Sequence, residues 1–246
     1  MIALSLTHAR FHLLETVRVP IAVIGSTFFP AAAMLFFVVP FAGDDPTGAT
    51  FATASMVTFA VMTSNLFGYG AGVAQDRDQP WDPYTRTLPA GPGPRFAGRV
   101  IAGLIMTFLS LLPVVAIAAL FTAATTTPLG LLLGAGAAIV AAIPISLMGL
   151  AIGYGMPMKA ALVVAQVLFF PLAFLGGLLS SPLDAPGFVQ AVAPYLPTRG
   201  AVELMWAAVG DFQPNPTAII MLGVWTVAMA ALAALAYRHD EGRRFR

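Results

Sequence analysis

The densest group of polar side chains in this sequence lies in one stretch, Gln75–Arg99. It holds three of the eleven carboxylates, four of the twelve cationic side chains and five of the twenty prolines. Such a stretch offers opposite charges to a binding partner. Its backbone cannot stay in hydrocarbon, where each unpaired polar group is costly. The stretch must project into water, and its basic residues predict the cytoplasmic side of a membrane. We predict that it is the docking surface for a cytosolic partner.

Other residue types that could do chemistry are absent or isolated. The sequence has no cysteine, which excludes disulfides, thiolate metal sites and a cysteine nucleophile. It has no Walker A sequence, and its single lysine, Lys159, lies outside any glycine-rich loop. His8 and His12 are four residues apart, but no third metal ligand is close in the sequence. We therefore expect no catalytic site, no metal site and no cofactor in this chain, and no enzymatic activity of its own.

The composition shows what surrounds these residues. The chain has 246 residues, of which 59% are hydrophobic and 9% charged, and its mean hydropathy is +0.86. Soluble domains carry about 25% charged residues, so these values predict an all-α integral membrane protein with one domain over residues 1–246. One lysine and scattered arginines do not form the basic surface that nucleic acid requires, so nucleic acid is not an expected partner.

Six apolar runs are long enough to cross a bilayer, because about twenty helical residues at ~1.5 Å each span a core of ~30 Å. The predicted spans are 19–41, 50–74, 100–122, 129–154, 160–179 and 217–237. Residues 2–17 are too short and too polar to cross, and they are predicted to form an amphipathic helix along the membrane surface. On a helical wheel the two sides are Ile2, Leu6, Leu13 and Val17 against Ser5, His8, His12 and Glu15.

Residues 180–212 contain too many prolines and charges for a crossing helix, yet too many apolar side chains for a free loop. We predict a helical hairpin that re-enters the outer leaflet while buried against protein. With a cytoplasmic amino terminus, eleven of the twelve Lys and Arg residues are cytoplasmic, and Arg199 alone is outside. This positive-inside bias predicts a multi-pass protein with both termini in the cytoplasm.

Two segments resemble a known family. Asp76-Arg77, the run Arg86-Thr87-Leu88-Pro89 and Arg99-Val100 are together similar to the first cytoplasmic loop of type 2 ATP-binding-cassette (ABC) exporter permeases, especially those of the daunorubicin-resistance kind. The sequence departs from that family at residues 79–84, where two prolines confine any helix to about residues 83–88. A second resemblance covers residues 176–186 and 194–198, which are similar to the extracellular segment before the last span of the same permeases.

The resemblance implies a permease subunit that exports a hydrophobic or amphipathic drug, antibiotic or lipid-like molecule across the plasma membrane. It implies a separate ABC ATPase subunit that holds ATP and magnesium, a second permease copy or a homologous permease, and surrounding membrane lipid. The predicted ATPase-coupling residues are Asp76, Arg77, Trp81, Asp82, Tyr84, Arg86 and Leu88. Spans two and five would line the pathway, with Met56, Phe59, Met62, Asn65, Gln166, Phe169, Phe170 and Phe174. The predicted outer gate residues are Phe188, Arg199, Glu203 and Trp206, with Arg199 and Glu203 paired one helical turn apart.

Two other classes of membrane protein compete with this interpretation. An ion-coupled secondary transporter, or another polytopic protein without an ATPase partner, would usually place Asp, Glu or His inside the bilayer as a relay. Here all eleven carboxylates and three histidines fall outside the predicted spans, in loops, termini or the outer hairpin. A membrane-embedded enzyme would need a carboxylate cluster or an activated nucleophile within a span, and the sequence shows neither.

Overall fold

The computed structural model describes residues 2–18, 20–80, 92–182 and 185–243, and within these ranges every regular element is helical. The all-helical prediction is therefore confirmed for the described part of the chain. The α-helices are α1 (Ile2–Val17), α2 (Pro20–Ala33), α3 (Val39–Ala42), α4 (Pro46–Arg77), α5 (Pro92–Phe121), α6 (Pro128–Gly155), α7 (Met158–Leu175), α8 (Gly187–Val192), α9 (Pro197–Val209) and α10 (Pro216–Arg243). A π-helical turn, Met34–Val38, joins α2 to α3, and a 3₁₀ turn, Ala193–Tyr195, follows α8.

Five of these helices, α4, α5, α6, α7 and α10, are long and apolar enough to cross a membrane. The chain is therefore described as a membrane protein. The predicted first span corresponds to α2, the π turn and α3, of which Thr27–Ala42 is an apolar helix shorter than a full span. A sixth crossing thus stays a prediction.

Helix α4 is the centre of the bundle. In its most apolar window 72% of the residues are buried, against 22–44% in the other four long helices. Its start is fixed by Asp45, whose carboxylate accepts hydrogen bonds from the backbone N–H groups of Thr47 and Gly48, with Pro46 at the first helical position. Asp45 therefore caps α4, which begins four residues before the predicted start of the second span at residue 50.

Helices α4 and α6 approach each other closely because glycines line the contact. A Cβ atom on Gly149 would lie 2.9 Å from the Cβ of Tyr69, and one on Gly153 would lie 2.6 Å from the Tyr69 carbonyl oxygen. Small residues four apart allow such backbone contact between membrane helices. Another glycine of α6, Gly134, faces Met205 and Val209 of α9.

Helix α1 has the predicted bounds but an unexpected orientation. Its polar side packs against α5, where Gly98 contacts His8, the backbone of Ser5 and Ala9. The apolar side chains of Leu6 and Val17 are exposed instead. Polar groups are thus used for packing between helices, and the apolar side is left free to face lipid.

Candidate functional site

The two ends of the charged stretch are held together at its base. Asp76 lies in the last turn of α4, and its Oδ2 forms an ion pair with Nη2 of Arg99 in the second turn of α5. The Nε2 atom of His12, on α1, lies 3.7 Å from the same carboxylate oxygen. Three helices therefore meet at Asp76, and the end of α4 is held to the start of α5 by the Asp76–Arg99 ion pair. We call this junction, where the connection between α4 and α5 begins and ends, the loop base.

Arg77, the next residue, points toward a different set of helices. Its Nε and Nη2 donate to Oδ1 of Asp240 in α10, at 3.1 and 2.5 Å. Its Nη1 donates to the carbonyl oxygens of Gly153 and Met156 at the end of α6, at 2.6 and 3.1 Å. A cation that caps the last carbonyls of a helix also interacts favourably with the helix dipole. One guanidinium therefore joins the ends of α4, α6 and α10.

The protonation of His12 reflects its position in this cluster. Burial against α5 lowers the pKa of His12 below its ordinary value of 6.5, and the Arg99 guanidinium lowers it further. The carboxylates of Asp76 and Glu15 act in the opposite direction but do not compensate, since Asp76 is already paired with Arg99. His12 is therefore held mainly neutral at pH 7.

The structure locates only part of the predicted coupling surface. Trp81, Asp82, Tyr84, Arg86 and Leu88 lie outside the described residues. Asp76 and Arg77 are described, and their side chains contact helices of this chain. Their role in coupling to another subunit stays a prediction; both residues lie at the loop base.

Several of the predicted pathway residues meet in a groove between α2 and α7, with α4 as its floor. The lining of this groove, Phe29, Thr63, Phe67, Gln166, Phe169 and Phe170, encloses about 20 Å³, which is space for about one water molecule. Phe169 is at its centre, because its ring lies 5.0 Å from Phe59 and 5.5 Å from Phe67, centroid to centroid. Gln166 and Phe170 are exposed at the rim.

Other predicted pathway residues lie inside the protein. Met56 and Met62 are buried in the core. Asn65 is also buried, and its amide is satisfied within the chain. Its Nδ2 donates to Thr107 Oγ1 of α5 at 3.0 Å, and its Oδ1 accepts from Ser146 Oγ of α6 at 2.8 Å. Asn65 therefore joins three helices, and its predicted contact with cargo remains untested.

Three of the four predicted gate residues form one cluster at the opposite end of α4. Arg199 Nε donates to Glu203 Oε1 at 2.5 Å, so the predicted pair forms. Glu203 is buried, and its Oε2 accepts the backbone N–H of Asn215 at 2.6 Å. The Arg199 guanidinium lies 4.9 Å above the Trp206 ring, and Trp206 Nε1 donates to the Phe51 carbonyl and to Ser55 Oγ.

The fourth residue, Phe188, lies apart from this cluster. It is exposed on α8, and its ring is 5.9 Å from the ring of Phe174 on α7. A predicted gate residue and a predicted pathway residue therefore touch. The depth of α8 and α9 in the membrane, and their action as a gate, stay predictions.

Sequence reasoning missed the residues that complete these clusters. Asp240 was counted with the carboxylates of the termini. It lies three residues beyond the predicted sixth span, so a continued helix would place it at the end of that span. Thr107 and Ser146 gave no signal, because single hydroxyls in apolar spans usually bond to their own helix. The Gly149–Gly153 spacing could have been found, since it is the small-residue pattern that brings membrane helices together.

Comparison with known proteins gives two findings. Residues 6–209 match the family described as ABC-2 type transporter. A candidate transport permease of Bacillus subtilis (strain 168), YvfS, is 23% identical over 188 residues, which is 76% of this chain and 76% of that protein.

Proposed function

Because this chain belongs to the ABC-2 type transporter family, we propose that it is the membrane-spanning subunit of an ATP-driven exporter in the plasma membrane. The chain is a transport permease, and it carries no Walker A sequence. ATP and magnesium would be held by a separate ATPase subunit. Two copies, or one copy with a homologous permease, would enclose the pathway, with both chain ends in the cytoplasm.

The observation that carries this proposal is the closed base of the loop between α4 and α5. The Asp76–Arg99 ion pair closes it, and Arg77 joins it to α6 and α10. A loop with free ends would bend when its tip is pushed. A loop whose ends are fixed to several helices passes the displacement to them, as coupling to an ATPase requires.

The groove between α2 and α7 favours a permease of the daunorubicin-resistance kind, with an amphipathic cargo such as a drug, an antibiotic or a lipid-like molecule. Its walls are phenylalanine rings, and Gln166 adds one hydrogen-bonding side chain at the rim. Aromatic surfaces with few polar groups bind apolar molecules of varied shape. The enclosed space is much smaller than such a molecule, so a second permease would complete the site.

The decisive experiment is co-purification followed by transport. The chain is expressed with ABC ATPase subunits from its own genome, reconstituted into vesicles and assayed for ATP-driven movement of a fluorescent amphipathic dye. Replacing Trp81 and Tyr84 together by alanine should leave assembly intact and lower dye export per ATP hydrolysed, since aromatic side chains often dominate interfaces. Tyr195→Ala, at the opposite end of the bundle, is the matched control. Tight ATP binding by the chain alone, or full export by the double variant, would contradict the proposal.

A narrower experiment addresses the cargo. Gln166→Leu removes the polar group of the groove and keeps its size, so export of dyes with a hydrogen-bonding group should fall relative to fully apolar dyes. Val167→Leu, on the next position of α7, is the control for a change of shape. An unchanged order of dye preference in Gln166→Leu would remove this groove from the pathway.

A further inference from the structure

The end of α10 is joined to the base of the loop by one side chain. Asp240 accepts two hydrogen bonds from Arg77, and it lies 163 residues further along the chain. Arg77 is the last residue of α4. Helix α10 packs along α6, and the Arg77–Asp240 pair is the contact that joins its end to the end of α4.

Burial distinguishes this pair from an ordinary ion pair at a protein surface. The side chain of Asp240 is 2% exposed and that of Arg77 is 16% exposed. Exposed pairs contribute little because water competes with them. A carboxylate that is almost fully buried needs its partner, since losing the partner leaves a desolvated charge. Separating the two helix ends would therefore leave a buried carboxylate without its partner.

The adjacent carboxylate shows that the contact is specific to one position. Glu241 accepts a hydrogen bond from Tyr237 of its own helix, at 2.6 Å. Asp240, in contrast, turns toward α4 and α6. Two neighbouring carboxylates on α10 therefore have different partners, and a substitution at Glu241 is a control for one at Asp240.

The opposite side of Arg77 is held as firmly. Its contacts with the carbonyls of Gly153 and Met156 lie next to the close approach of α4 and α6 at Gly149 and Gly153. At that crossing the backbones touch, so α4 cannot slide along α6 without a clash. A movement of Arg77 is thus shared by the ends of α4, α6 and α10, whereas Asp76 passes movement to α5 and α1.

We infer that Asp240 is a positioning residue for coupling, which keeps the end of α10 attached to the loop base so that α10 moves with α4 and α6 when the ATPase acts. This inference rests on the proposed function. It assigns the last turns of α10 a part in transport that neither family membership nor the loop sequence gives them.

The test compares Asp240→Asn, Asp240→Glu and Glu241→Gln in the complex of permease and ATPase, reconstituted into vesicles. The sequence has no cysteine, so spin labels on cysteines at the exposed positions Gln75 and His239 report the distance between α4 and α10 directly. We expect Asp240→Asn to broaden this distance distribution and to lower dye export per ATP by about tenfold, within the range of typical coupling between sites. Asp240→Glu and Glu241→Gln should stay within about twofold of the unmodified protein, a change worth under ~0.5 kcal/mol.

Wild-type distances together with wild-type export per ATP in Asp240→Asn would overturn the inference. If that variant does not assemble, Arg77→Lys replaces it, because an ammonium keeps the charge but cannot reach the carboxylate and both carbonyls as a planar fork does. The same two results then decide. A failure of the proposed function looks different, since the unmodified complex would then show no ATP-driven export at all.

Discussion

Trp206 and Phe51 are joined by a hydrogen bond of 3.1 Å from the indole Nε1 to the backbone carbonyl oxygen, which fastens α9 to the first turns of α4. The same Nε1 lies 3.0 Å from Ser55 Oγ, and the indole is fully buried. The hairpin helix is therefore held to the central helix by a side chain that solvent cannot reach.

Replacing Trp206 by phenylalanine should lower stability by about 2 kcal/mol, since it removes a buried donor and part of a packed ring. Thermal unfolding of the purified protein in detergent measures the effect. Trp225→Phe is the control, because Trp225 donates a similar bond to the Tyr195 carbonyl at a more exposed site. Equal losses in the two variants would show that burial of Trp206 is not what matters.

Asn65 offers a choice between a structural role and contact with cargo. Its bonds to Thr107 and Ser146 predict that Asn65→Leu lowers stability by about 1 kcal/mol, the usual scale for polar contacts between membrane helices. Dye preference should not change, because the side chain is buried. Unfolding and transport are measured on the same preparations. A changed dye preference at unchanged stability would instead make Asn65 a pathway residue.

The glycines of α6 predict opposite effects of one substitution at two positions. Gly153→Ala places a methyl group against the backbone of Tyr69 and Gly70, so stability should fall by about 1–3 kcal/mol. Gly136→Ala meets no atom within 4 Å, and alanine favours a helix, so stability should be unchanged or rise by up to ~1 kcal/mol. Thermal unfolding of both variants is the measurement. A stable Gly153→Ala protein would show that α4 and α6 are less closely packed than described.

Acidification should loosen α1. Because the pKa of His12 lies below 6.5 in the folded protein, the unfolded chain binds its proton first as the pH falls. The free energy of unfolding is therefore unaffected by His12 above about pH 6.5, and it decreases as the pH drops from there toward the pKa of His12 in the folded protein. Between pH 7.5 and 5.5 the unmodified protein should therefore lose stability relative to His12→Gln.

His8→Gln, which keeps His12, is the matched control for this titration and should follow the unmodified protein. Hydrogen exchange in α1 over the same pH range gives a second measurement. An identical pH dependence with and without His12 would show that burial and the Arg99 guanidinium do not lower the pKa of His12.

The five long helices could be predicted because each contains a long apolar run that ends at polar residues or prolines. Two of these helices begin at a capping residue, Asp45 for α4 and Thr127 for α6. At the start of α6, Thr127 Oγ1 accepts the N–H of Gly130 at 3.0 Å. Contacts between helices were predicted less well. The Arg77–Asp240 pair was not predicted, because a local charge pattern does not show which distant residue folds back to it. The bonds of Asn65 to Thr107 and Ser146 were not predicted either, since these hydroxyls are single residues on other helices.

The pairing of Arg77 with Asp240 also limits when this contact can form during synthesis of the chain. The ribosome makes the arginine 163 residues before the aspartate, which is roughly 8–33 s at 5–20 residues per second. The carbonyls of Gly153 and Met156 are made about halfway through that interval, so Arg77 can bond to α6 before the carboxylate of α10 exists. Helices α4 and α6 can therefore be joined through Arg77 while α10 is still absent, and the Arg77–Asp240 ion pair forms only after α10 has been made.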